Sequence, residues 1–156
     1  MIRSEAEYRE ALARLEEDRR FIELQREALT GRGYTPEEVA RGLEPAQSFH
    51  EQLIEEVTWY ERVRRHDFET ITDLTSIGRL LIALRIAQGM SQRDLASRLG
   101  VSEAVVSRDE RNEYHGIGVE KAQRILDAIG ARLVMRVDEL SGPPSPSSDE
   151  RALVAR

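Results

Sequence analysis

Between Gly89 and Tyr114 the chain reads GMSQRDLASRLGVSEAVVSRDERNEY. Several of its polar side chains fall at spacings that suit contact with a nucleic acid. On a helix that starts after Ser102, Val106 must turn inward, which leaves Glu103, Ala104, Ser107 and Arg108 outward. An arginine so placed forks onto guanine O6 and N7, Glu103 either accepts from cytosine N4 or only stabilises the helix start through its dipole, and Ala104 or Val105 meets a thymine methyl. Ahead of this helix, Gln92 opens another, where unbonded amides and the helix dipole attract phosphate. Ser91, Arg93, Ser102 and Arg111 complete the expected set of phosphate contacts. These residue types are those of base readout and backbone anchoring on double-stranded DNA.

The acidity of the stretch argues the other way, as does that of the chain. The 156 residues carry a net charge of −6. That excess is unevenly spread. Residues 1–70 hold 17 acidic and 11 basic side chains, whereas residues 76–140 hold 9 acidic and 10 basic. A local binding face is set by its own charges and not by the chain total.

The elements that must position these residues are mostly helical. Ser91 and Asp94 have the form of a capping box, which opens a helix ending at Leu99. Gly100 supplies a turn, and Ser102 caps the next helix to about Arg111. Leu95, Ala96 and Leu99 face inward, as do Leu80, Leu81, Leu84 and Ala87 on a helix over Ile77–Gln88. Thr75 or Ser76 is expected to cap that helix. Ala122, Ile125, Leu126 and Ile129 mark a last helix from Val119 to Ile129. Helix, glycine turn, helix with these inward positions is a helix-turn-helix by spacing.

Upstream, Ser4 and Glu7 suggest a cap for a helix to about Leu29, with Leu12, Leu15, Ile22 and Leu29 as its apolar stripe. Thr35, Pro36 and Glu38 restart the chain, and Pro45 is expected to interrupt that helix. Another helix, over about 46–64, would place Leu53, Ile54, Val57, Tyr60 and Trp59 on one side. After the last helix, Leu133, Met135 and Val137 alternate with Arg132, Val134 and Arg136, the period of a strand. A lone strand needs a partner, and the same strand from a second copy supplies one. The stretch SGPPSPSSDERALVAR is expected to be a disordered tail.

Composition excludes several classes. The chain has no cysteine, so disulfides and thiolate metal sites are absent. His50, His66 and His115 lack metal-ligand spacing, and no nucleophile–base pair stands out. No catalytic residue, metal or cofactor is expected. The first twenty residues are charged throughout, unlike a signal peptide or anchor, and no run is long enough to span a bilayer. A cytoplasmic protein is the simplest expectation.

With these residues in view, MSQRDLASRLGVSEAVVSRDE resembles the Xre/Cro-type helix-turn-helix repressors over about Ile77–Ile129. The resemblance implies that Arg85, in the helix before the motif, pairs with Glu110 at the end of the recognition helix. It also implies that Gln92 binds phosphate while Glu103, Ala104, Ser107 and Arg108 face bases. Asp109 departs from the family, which more often has an apolar residue there. It is expected either to pair with a nearby arginine such as Arg111 or to weaken binding. The strand and tail resemble HipB-type antitoxins, and the leading helices resemble those of HigA-type antitoxins. Those similarities imply a homodimer and, as an alternative to a stand-alone repressor, an antitoxin that holds a protein toxin and represses its own operon.

The expected fold is therefore mainly α. It has an N-terminal helical region (1–70), a helix-turn-helix domain of four to five helices (71–130), a dimerisation strand (131–140) and a tail (141–156). No membrane partner is expected.

Overall fold

The computed structural model describes residues 1–137. The expectations for the tail and for the end of the strand lie outside them. The described residues form six α-helices and one 3-10 turn: α1 Glu5–Gly31, α2 Pro36–Arg64, the turn Leu74–Ser76, α3 Ile77–Ala87, α4 Gln92–Leu99, α5 Glu103–Arg111 and α6 Val119–Ile129. None of these helices is long and apolar enough to cross a membrane.

Local capping explains most of the helix starts. Ser4 Oγ accepts from the Glu7 amide at 3.2 Å, while the Glu7 carboxylate takes the Arg3 amide at 2.7 Å. The reciprocal bond thus lands one residue earlier than a standard box places it. Thr35 and Glu38 make the full box, with Pro36 at the first helical position. Ser76, one of the two expected caps, stands at the N-cap position of α3 but makes no side-chain cap bond, and the side-chain cap ahead of it is that of Asp73 on the 3-10 turn. Its carboxylate takes the Ser76 amide at 3.1 Å and the Thr75 hydroxyl, and so sets the 3-10 turn that leads into the helix.

Pro45 does not interrupt α2, which runs unbroken for 29 residues. Proline removes the bond to the carbonyl four residues back, here that of Arg41. Both Arg41 and Pro45 are exposed, so the carbonyl that loses its partner lies on the solvent side of the helix, where the loss costs least. The opposite face of the same stretch is held by Leu43, which is buried with Ile22 and Val39 and packed by Leu29 and Ala46.

Helices α1 and α2 form an antiparallel arm, and α1 alone is roughly 40 Å long at about 1.5 Å per residue. The base of the arm and the helix-turn-helix share one core. Ile2, Ala11, Val57, Tyr60 and Val63 belong to the same buried cluster as Leu81, Ile82, Ile86, Leu95, Val106, Ile125, Leu126 and Ile129. The core thus continues across residue 70. Tyr8 stacks on Tyr60 with ring centroids 4.9 Å apart, and its hydroxyl donates to Glu61 at 2.7 Å. Two expected inward residues face out: Leu12 and Ile54 are exposed. Trp59 is half-buried, with the Arg79 guanidinium 5.6 Å from its ring centroid.

Residues 131–137 adopt no regular structure, and Met135 and Val137 are exposed while Leu133 is partly packed against the core. The expected strand pairs only across two chains, and a single chain offers it no ladder.

One backbone contact fixes the loop after α5. A Cβ at Gly78 would stand 1.9 Å from the Glu113 carbonyl oxygen. Glu113 and Tyr114 both hold left-handed backbone angles, φ 50° and 53°. Only glycine lets α3 come this close. Gly78→Ala should therefore lower stability by about 1–3 kcal/mol or more, the range for overpacking in a core. Urea denaturation checks this, and a change below about 0.5 kcal/mol would show that the loop yields freely.

Candidate nucleic-acid interface

The two helices that follow Met90 are set at an angle by three residues, Gly100 to Ser102. Gly100 closes α4 in the left-handed region (φ 68°, ψ 33°), and its amide bonds the Ser97 carbonyl at 3.3 Å. The Val101 amide then reaches the Ala96 carbonyl at 3.0 Å. Leu95, Ala96 and Val106 meet inside the turn, all buried.

Beneath this pair lies a fully buried ion pair. Arg85 is 2% exposed and Glu110 0%. Arg85 Nε and a terminal nitrogen reach the two Glu110 oxygens at 2.5 and 2.7 Å, a forked contact. The remaining terminal nitrogen donates to the Met90 carbonyl at 2.6 Å, and the one already on Glu110 also donates to the Arg3 carbonyl at 2.9 Å. Gln92 Nε2 adds a bond to the second Glu110 oxygen at 2.8 Å. Charges in an interior are tolerated only when paired and fully hydrogen-bonded, and here both conditions are met. Glu110 is therefore spent on the fold and offers no charge to a ligand. Gln92, read from sequence as a phosphate ligand, is in this arrangement a member of the same network. The Arg3 carbonyl was not foreseen, because nothing in a sequence shows which distant backbone oxygen will meet a buried guanidinium.

With Val106 and Glu110 turned inward, the opposite side of α5 carries Ala104, Ser107, Arg108 and Arg111. Glu103 stands at its edge. At about 100° per residue these five span roughly 140° of the helix. Ser107 is half-buried and the other four are exposed. Arg108 and Arg111 have no ion-pair partner among the described residues, so their guanidinium groups are open to a ligand. Glu103 lies 3.8 Å from Arg93 across the two motif helices, with both side chains exposed. Such a surface pair contributes little.

Asp109 is turned away from this face. Its carboxylate pairs with Lys121 of α6 at 2.7 Å, so the expected arginine partner is replaced by the chain's single lysine. The reason is angular: Asp109 lies between Val105 and Val106 around α5, about 160° from Arg111. Arg98 is also occupied, donating to the Ala128 carbonyl at 2.8 Å near the end of α6. Tyr114 is buried, and burial followed by the nearby Glu110 charge pushes its phenol well above the usual range. His115 beside it is exposed.

The helix starts differ in what they leave open. At α4 the Ser91–Asp94 box is complete, and the Ser91 hydroxyl and amide hold the Asp94 carboxyl below its ordinary value. The stabilisation from this cap is present above the unfolded-state value and is lost as pH falls through the lowered one. At α5, Ser102 occupies the cap position but its side chain makes no cap bond. At α6, Gly118 stands at the cap and has no side chain to offer. The first amides of α5 and α6 are thus without side-chain acceptors, the arrangement that suits phosphate oxygens. The start of α6 falls at Val119, as expected from sequence, but no phosphate contact was assigned to it, although a glycine where Ser, Thr, Asp or Asn is usual was a readable sign of open amides.

Among the described residues no group of three or more His, Asp and Glu is gathered as a metal ion would require. Residues 81–134, which are 54 of the 156, match a family model described as Helix-turn-helix. Searches among curated proteins and among solved structures returned no match.

Removing one member of the buried pair leaves the other charged and unpaired, at about 3–5 kcal/mol. Glu110→Ala should lower the unfolding free energy by that amount, read from chemical denaturation. Glu103→Ala, at an exposed edge, should change it by less than about 0.5 kcal/mol. Equal losses in the two variants would remove the clamp from the account.

Proposed function

We propose, taking as premise the Xre/Cro-type helix-turn-helix that residues 81–134 match, that the protein is a sequence-specific DNA-binding transcriptional regulator acting as a repressor. In this reading α5 enters the major groove, with Glu103, Ala104, Ser107 and Arg108 toward base edges. Ser91, Arg93, Ser102 and Arg111 take phosphates, and Gln92, whose side chain is held on Glu110, takes one through its backbone amide, with the open amides at the starts of α5 and α6 beside them. The observation that carries the reading is the buried Arg85–Glu110 pair. It neutralises the acid nearest the outward face, while Lys121 draws Asp109 aside. Of the three acids of α5 only Glu103 stays on the outward face, beside the guanidinium groups of Arg108 and Arg111, which have no ion-pair partner among the described residues.

The protein acts as a homodimer in this reading, with the 131–140 segments pairing across a two-fold axis through Leu133, Met135 and Val137. The exposure of Met135 and Val137 supports this pairing. Two recognition helices would then meet half-sites about 34 Å apart or at a multiple of that spacing.

A second reading adds a protein partner held by the N-terminal arm, as in an antitoxin that represses its own operon. Helices α1 and α2 favour it, since together they carry 15 acidic and 8 basic side chains.

The test uses a duplex from the region upstream of the protein's own gene. Arg108→Ala should weaken binding to it by roughly 5- to 150-fold, as expected for loss of about 1–3 kcal/mol of base recognition. Arg111→Ala should weaken binding to specific and scrambled duplexes alike and flatten the salt dependence by about one counterion. An Arg108→Ala protein that binds its site as tightly as the parent would remove α5 from the groove.

A further inference from the structure

The outer half of the α1–α2 arm keeps three large apolar side chains in solvent. Phe21 is 54% exposed, Leu24 64% and Phe49 71%. Scattered exposed apolar residues are ordinary, but contiguous ones are not. At about 100° per residue, Phe21 lies within about 20° of Arg14 around α1, and Leu24 follows one turn on. Arg14 lines a groove along the arm together with Asp18, Phe49, Gln52, Leu53 and Glu56. Ile22, next to Phe21, turns the other way to pack with Val39 and Leu43. The two phenylalanines therefore share one flank of the arm, outside its core.

The charges on that flank are mostly acidic. Glu10, Arg14, Glu17 and Asp18 all lie within about 60° of Phe21 around α1. Arg14 is already engaged with Asp18 at 3.9 Å. A second copy of the chain would bring the same acidic arm against itself, which like-charge repulsion opposes. A partner of the opposite sign meets no such opposition.

We propose that this flank docks a basic amphipathic helix of another protein. Its aliphatic side chains would seat on Phe21 and Phe49, and its Lys or Arg residues would face Glu10, Glu17 and Asp18. The proposal deepens the partner-binding reading and rests on it. It makes no use of the DNA-facing residues, which lie on α4 to α6 at the other end of the shared core.

The experiment titrates the full chain into a fluorescently labelled 14-residue Leu/Lys amphipathic helix, with a Leu/Glu peptide of the same pattern as control. The wild type should bind the Leu/Lys peptide and not the Leu/Glu one. Joint Phe21→Ser and Phe49→Ser substitution should weaken that binding at least tenfold, since central aromatic anchors carry most of an interface's affinity. Both residues are exposed, so the helical circular dichroism and the affinity for DNA should be unchanged. Leu/Lys binding that survives the double substitution overturns the flank while leaving a partner-binding chain. No binding by the wild type overturns both. If sedimentation shows a dimer that the double substitution dissolves, the occupant is a second copy and the proposal is wrong.

Discussion

A single buried guanidinium–carboxylate pair governs the arrangement of the helix-turn-helix. Arg85 leaves α3 and meets Glu110 near the end of α5 with both oxygens engaged. The same guanidinium takes the Met90 carbonyl ahead of α4, and Gln92 at the start of α4 closes the ring onto Glu110. Three helices are thereby tied at one point by directional bonds, where aliphatic packing alone would permit small rotations. Burial makes the pair demanding: neither charge is stable there without the other. Its consequence for the surface is as important as its role inside. It removes one carboxylate from a helix that carries three acids in nine residues.

The pair also joins the two parts of the chain. The Arg3 carbonyl is the one bond to the Arg85 guanidinium that comes from outside α3–α5. Ile2 is buried in the same core. Helix α2 is held at the base of the arm in the core it shares with α3, through Val57, Tyr60 and Val63, and α1 joins it there by stacking Tyr8 on Tyr60. The arm is therefore rooted in the helix-turn-helix, and its outer half is held by a separate small cluster around Ile22, Val39 and Leu43.

How far the sequence could be read follows from the range of the interactions. The bounds of α4, α5 and α6 were legible because capping residues, turn glycines and apolar spacing are local signals. So was the outward set on α5, once Val106 was turned inward. The Arg85–Glu110 pairing came only through the Xre/Cro-type resemblance, since nothing local links residues 25 apart. Pro45 misled because its local rule is overridden where the orphaned carbonyl faces water and the other face is packed. Lys121 as the partner of Asp109 and the close approach at Gly78 depend on how elements meet in space. Leu12 and Ile54 were misplaced for a related reason: on long amphipathic helices the apolar stripe drifts, and only the partner helix decides which residues it covers.

The central claim is that this clamp aims an arginine-bearing face of α5 at DNA. Titrating the isotope-labelled protein with a 20-base-pair duplex from its own upstream region, and following backbone amide NMR shifts, tests it most directly. The account predicts the largest changes at residues 102–111 and at the starts of α4 and α6, with the amides of the arm's outer half, around Phe21 and Phe49, unmoved. Changes centred on α1 and α2, with residues 102–111 silent, would contradict it.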